Sequence, residues 1–304
     1  MTSSLCVILI MTGGVLIAFH TVLTKHIILT QPAWGSHSGL FVAVTQGLAS
    51  VLLLGIVPLT GGMELKDGWL WPTLATGFLN IGIQYSIIRA KTLEDVSLVT
   101  PIYSTTPAAV IVTSMLILGE YPSRLGWLGV WTMVLGTYVL NLQDFLEKKG
   151  ERSVKDWFAP FLMLTKSKGV RFAFAAALLS SISLNFDSLS SRRANIALGL
   201  SIIFSITALA NLAMWQKWRK PSDPEVPKIT WKVLLVTVFF CGAVWFSNAA
   251  FRYGLTPYVG TLKRIYIPIV ILFAYVLLGE KKSFKNRLVG GLMIVAGATI
   301  ISFS

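Results

Sequence analysis

An all-α membrane protein, ten transmembrane helices arranged as two inverted five-helix repeats, is the fold that the sequence predicts. Three observations lead there. Of 304 residues, 54% are hydrophobic and only 13% charged, against about 25% charged in soluble domains, and the mean hydropathy is +0.71. Ten apolar segments long enough to cross a bilayer follow one another, at roughly 4–25, 38–60, 70–89, 95–118, 125–143, 172–191, 196–216, 230–252, 256–279 and 286–304. A set of spaced residues in the first half also recurs in the second. Pro107, Gly119, Glu120, Gly129 and Gly136 reappear as Pro268, Gly279, Glu280, Gly290 and Gly297, the register shifting by one residue at the Gly-Glu pair. Five helices per half is an odd number, so the second copy must lie upside down relative to the first.

Taken in order, the first segment lacks a basic leader and an A-x-A cleavage site, so it is expected to be a retained helix. Tryptophans mark many segment ends, among them Trp69, Trp71, Trp127, Trp215, Trp218 and Trp231, as an interfacial aromatic belt requires. The connections at Tyr121–Arg124 and Lys281–Lys285 are short and predict antiparallel hairpins. The polar stretch Gln143–Arg171 separates the halves, giving a first repeat at 1–143, a linker at 144–171 and a second repeat at 172–304. Within it, Asp156–Leu164 is too short to span and suits the membrane surface. Ala173, Ala177 and Ser181 form a small-xxx-small run, and Gly129, Gly136, Gly290 and Gly297 give the fifth and tenth segments smooth strips for close helix contact.

The net charge of +13 does not call for nucleic acid, because most basic residues fall between the apolar segments, as beside an anionic membrane face. Counted by alternate loops, about nineteen lie on the side of the linker and about five on the side of the termini, which predicts a cytoplasmic linker. Cys6 and Cys241 are too few and too far apart for a disulfide framework or a metal site. There is no G-x-x-x-x-G-K-[ST] for phosphate binding and no H-E-x-x-H, and His20, His26 and His37 do not have metal-ligand spacing. No pair of deep carboxylates suggests an intramembrane protease. Neither a catalytic residue, a metal nor a cofactor is expected; an intramembrane enzyme or a scaffold is a distant alternative.

The ninth segment, TPYVGTLKRIYIPIVILFAYVLLGE, carries the chemistry. Lys263 and Arg264 lie about 10 Å in from its start, where a charge costs about 2.5–3.5 kcal/mol at a helix centre. Pro268 cannot donate to the carbonyl of Arg264 and breaks the helix there. Two cations at a broken helix suit an anionic substrate, a Lys point charge and an Arg fork matching a carboxylate or phosphate. Snorkelling to the interface is the alternative, but a helix N-terminus disfavours cations, and the repeat-equivalent positions are Ile102 and Tyr103. Tyr266, Asn80, Gln84, Ser104, Asn248, His20 and Arg252 are the further substrate-binding candidates, being polar groups in apolar segments. Most Ser and Thr there are expected to bond their own backbone or hold helices together. Asp187 is read as a local ion pair with Arg192 and Arg193. Pro107 and Pro268 would let the fourth and ninth helices bend as gates.

The two five-helix halves, the Gly119-Glu120 and Gly279-Glu280 turns and the Gly-rich last helices resemble the drug/metabolite transporter superfamily, and within it the EamA-type permeases. Lys263-Arg264 is similar to the lysine-arginine pair with which triose-phosphate translocators hold phosphate. The further lysine of those proteins corresponds to Tyr103 here, which leaves a carboxylate or other monoanion as the ligand. The resemblance implies a secondary transporter of small metabolites, working by alternating access in a bacterial inner membrane, with membrane lipids around it and a homodimer allowed. Its expected partner is a small anionic molecule. The alternative is an exporter of neutral or amphipathic amino acids or drugs, in which the two cations serve a gate or an anchor.

Overall fold

The computed structural model describes residues 3–62, 65–149, 157–278 and 284–304, with the side chains of 96–97, 143–149, 274, 277–278 and 284–288 left aside. The Gly279-Glu280 turn lies outside these residues, as do 150–156 of the linker. The described residues are mostly helical, and no strand occurs among them. Fourteen helices follow in order: α1 Ser4–Thr30, α2 Pro32–Ser36, α3 Ser38–Ile56, α4 Leu70–Leu93, α5 Val96–Tyr103, α6 Thr106–Leu118, α7 Arg124–Lys149, α8 Ala159–Leu162, α9 Lys168–Arg193, α10 Ile196–Trp218, α11 Trp231–Ala249, α12 Thr256–Leu262, α13 Tyr266–Leu278 and α14 Phe284–Ser302.

Seven described spans are long and apolar enough to cross a membrane. Of the rest, α4 is more polar, and the ninth and tenth segments are described only in part. α4 has the length but carries Thr73, Thr76, Asn80, Gln84 and Arg89. The ninth segment is cut in two by a 3-10 turn at Lys263–Ile265. In the tenth, the apolar described stretch is Val289–Ser302.

Helix starts follow local chemistry. Ser3 Oγ accepts from the Leu5 amide and Ser167 Oγ from that of Val170, while Asn195 Oδ1 accepts from Ala197 and Leu198; each satisfies an amide that a helix N-terminus leaves without a partner. Gly119, at φ 66, ends α6 in the left-handed conformation that glycine adopts without a side-chain clash. In the linker, the described residues 157–164 hold the single-turn α8, and the Tyr138 hydroxyl donates to the Trp157 carbonyl.

Packing is close where the sequence offers small residues. α7 lies on α14, α4 on α9, α3 on α10 and α1 on α11. A Cβ built on Gly129 would sit 2.9 Å from the Gly297 carbonyl oxygen, and one on Gly297 2.6 Å from that of Gly129; Gly136 and Gly290 face each other in the same way. Ser50 and Ser201 exchange bonds reciprocally, each hydroxyl 2.9 Å from the other's carbonyl oxygen, and tie α3 to α10. Gly136→Leu must therefore push α7 from α14, since rigid backbone stands in the way. Overpacking of this kind costs about 1–3 kcal/mol, read as a lower melting temperature of the purified protein. Gly55→Leu is the control, because nothing lies within 4 Å of a Cβ there, and it is expected to leave the melting temperature near that of the parent.

Candidate functional site

The site is built on the broken ninth segment. Its first piece, α12, is fixed at its start. The Thr256 amide donates to Glu120 Oε2 at 2.6 Å, and Arg192 Nη1 donates to Glu120 Oε1 at 2.6 Å. Arg192 also donates from Nε to the Phe251 carbonyl and from Nη2 to that of Gly254. The Tyr258 hydroxyl accepts from the Ser123 amide at 2.7 Å. One carboxylate at the Gly-Glu turn thus caps α12 and joins it to the end of α9, an arrangement that also suits the positive helix N-terminus.

The helix then breaks where expected. α12 stops at Leu262, the 3-10 turn holds Lys263–Ile265, and α13 restarts at Tyr266. The fourth segment breaks at the matching place, between Tyr103 and Thr106, around Pro101 and Pro107. Both cations turn inward. Lys263 Nζ lies 4.3 Å from the ring centroid of Phe251, which is fully buried, and Arg264 Cζ lies 5.8 Å from that of Tyr103. Cation–π contacts of this kind are favourable and strengthen as water is excluded. Tyr103 is itself held, its hydroxyl 3.2 Å from Ser180 Oγ on α9. A snorkelling chain would instead run outward along lipid.

Asp187 completes the charged set, and the expectation of a local pair with Arg192 and Arg193 is corrected. Its Oδ1 accepts from the buried Thr76 hydroxyl at 2.9 Å, and the charge it faces is that of Lys263. Arg192 is engaged by Glu120 instead. Helical spacing gave the warning: residues five and six apart do not share a face, whereas Ser180, Ser183 and Asp187 do, and all three meet residues of α4 or α5. Among the described residues, Asp187 and Lys263 form no direct ion pair; they attract one another at longer range. Asp187, Lys263 and Arg264 are all half-buried, so each keeps some accessible surface inside the bundle.

The other candidates divide. Asn80 and Gln84 continue the stripe of Thr76 at four-residue intervals on α4 and are half-buried, with no hydrogen-bond partner among the described residues. Tyr266 is half-buried and likewise without one. Ser104 donates to the Pro101 carbonyl and Asn248 to that of Val244, each within its own segment. His20 packs on Phe240 with Nδ1 3.2 Å from the Val236 carbonyl oxygen, between α1 and α11. Arg252 donates to the Ser191 and Ala194 carbonyls at the helix ends, on the wall of a cavity of about 660 Å³ that Lys263 does not line among the described residues. Ser104, Asn248, His20 and Arg252 are therefore tied to backbone, while Asn80, Gln84 and Tyr266 make no such bond among the described residues.

Comparison with known proteins adds the class. The profile of the EamA-like transporter family matches residues 4–142 and 167–303, so the chain belongs to that family and is a multi-pass membrane protein. A relative from Sinorhizobium sp., named as an uncharacterized transporter in the cobO 3′ region, is 31% identical over 103 residues, covering 34% of this chain and 71% of that one. A solved crystal structure superposes with a TM-score of 0.71 over 99% of this chain and 98% of the other. At 16% identity, that likeness concerns the fold alone.

Proposed function

We propose that this EamA-like transporter moves a small polar metabolite bearing an anionic group by alternating access, with Lys263 and Arg264 holding that group. The observation that carries the reading is the inward turn of two adjacent cations at a broken helix, one against the buried Phe251 ring and one against the half-buried Tyr103 ring. An anion entering this space gains a point charge and a planar fork together, in surroundings where water screens little. Asn80, Gln84 and Tyr266 supply neutral contacts. Pro107 and Pro268 let the fourth and ninth segments flex.

Ten spans in two inverted halves, 1–143 and 172–304 about the linker 144–171, is the architecture we assign. The reciprocal Ser50–Ser201 bonds and the facing glycines of α7 and α14 support it, because a two-fold relation exchanges the Gly129–Gly297 contact with the Gly290–Gly136 contact. Packing of α1 on α11 and of α9 on α4 is the same contact seen from either half. Inverted repeats place the substrate between the halves near the midplane. The bacterial relative fits an inner-membrane location.

One observation favours a second reading. Asp187 lies within electrostatic reach of Lys263, so the space has an acidic pole as well as a basic one and suits a dipolar amino acid. Asp187→Asn separates the two. For a simple anion, loss of the opposing charge leaves binding intact or tightens it. For an amino acid, loss of the ammonium contact, worth about 1.5–3 kcal/mol for a charged hydrogen bond, weakens binding roughly ten- to a hundredfold. Competition for uptake into proteoliposomes, with each carboxylate set against its uncharged amide, reads the outcome. Equal competition by acid and amide would remove the anion site.

A further inference from the structure

The described cavity of about 660 Å³ lies at the helix ends and is lined by Leu65, Lys66, Arg192, Arg193, Ala194 and Arg252. Among the described residues, four cations and no carboxylate line it. They are four of the five Lys and Arg residues at this face of the helices, Arg124 being the fifth. Topology does not require them here, because the bias of basic residues falls on the opposite face.

The four are not equivalent. Arg192 and Arg252 are locked: Arg192 donates to Glu120 and to the Phe251 and Gly254 carbonyls, and Arg252 to those of Ser191 and Ala194. Their positive charge is thereby fixed in place before any ligand arrives. Lys66 and Arg193 are joined through backbone, the Lys66 amide donating to the Arg193 carbonyl at 2.8 Å, while their side chains carry no hydrogen bond or ion pair among the described residues. Glu120 offsets one charge of the four, and the rest repel one another across the cavity. Nothing in the packing of the helices needs that repulsion.

We propose that this cavity is a binding site for a phosphate group, separate from the Lys263–Arg264 site. A phosphate brings one to two negative charges and several acceptor oxygens, which match two fixed guanidiniums and two mobile cations better than the two oxygens of a carboxylate do. The group can come from a lipid headgroup, since basic pockets between transmembrane helices take anionic headgroups, or from a soluble phosphate ester. Lys66 and Arg193 close on it; Arg192 and Arg252 supply the standing field.

Thermal unfolding of the purified full-length protein in an uncharged detergent tests this. The additions are sodium phosphate or glycerol 1-phosphate, against chloride at equal ionic strength; in parallel, the protein is melted in phosphatidylcholine nanodiscs with and without phosphatidylglycerol. A ligand at ten times its Kd is expected to raise the melting temperature by about 2–3 °C. The rise should persist in Lys263→Gln, Arg264→Gln and vanish in Lys66→Gln, Arg193→Gln, whose side chains hold nothing in the fold. A rise with the soluble phosphates assigns a free ester, and a rise confined to phosphatidylglycerol discs assigns a headgroup. No rise in any arm, or a rise of equal size in Lys66→Gln, Arg193→Gln, overturns the site. A rise lost only in Lys263→Gln, Arg264→Gln places the phosphate at the transport site and overturns this proposal without touching that one.

Discussion

Glu120→Ala is expected to destabilise the fold strongly. The Glu120 side chain is 10% exposed and holds both Arg192, at 32%, and the first amide of α12. Removing one partner of a buried ion pair costs about 3–5 kcal/mol. Water reaching Arg192 puts the loss at the low end of that range. Loss of the α12 cap adds about 1 kcal/mol. The melting temperature of the purified protein should fall by about 6–8 °C. Glu120→Gln should fall less, because its amide oxygen still accepts from Thr256 or Arg192. A second effect separates this from general softening: with α12 released, the Lys263–Ile265 turn loses its anchor, so transport should drop even below the melting range.

Lys263→Gln and Arg264→Gln should each reduce uptake roughly ten- to a hundredfold in proteoliposomes, with folding and reconstituted amount unchanged. One charge-assisted hydrogen bond contributes about 1.5–3 kcal/mol, and 1.4 kcal/mol is a factor of ten in affinity. Arg264→Lys should also impair transport, because an ammonium neither reproduces two parallel donors nor stacks on Tyr103 as a guanidinium does. Tyr103, which takes the repeat-equivalent place of Arg264, contacts it directly. Tyr103→Leu is therefore expected to weaken uptake too, through loss of the surface that orients the guanidinium.

Much of the fold could be read in the chain because hydrophobic length and proline act locally. The apolar segments coincide with helices, though α1 runs on to Thr30 and α4 to Leu93, past the ends that apolarity suggested. The break after Leu262 followed from the missing amide of Pro268, and the closeness of α7 to α14 from glycine spacing. What could not be read were pairings across helices. Asp187 and Lys263 are 76 residues apart in sequence, and Glu120 and Arg192 are 72 apart; no periodicity encodes such distances. The polar residues also looked alike in sequence. His20, Ser104, Asn248 and Arg252 proved to be tied to backbone carbonyls, whereas Asn80, Gln84 and Tyr266 were not, and only the geometry separates a satisfied polar group from one left for a ligand. For Asp187, a five-residue offset from Arg192 already argued against a shared face.

Uptake by the Lys263→Gln, Arg264→Gln double variant, reconstituted at the same density and melting as the parent does, tests the anion site most directly. Loss of uptake to the level of empty liposomes, for a substrate whose carboxylate competes and whose amide does not, is the predicted result. Transport at the parent's rate would contradict the account and leave the two cations as anchors.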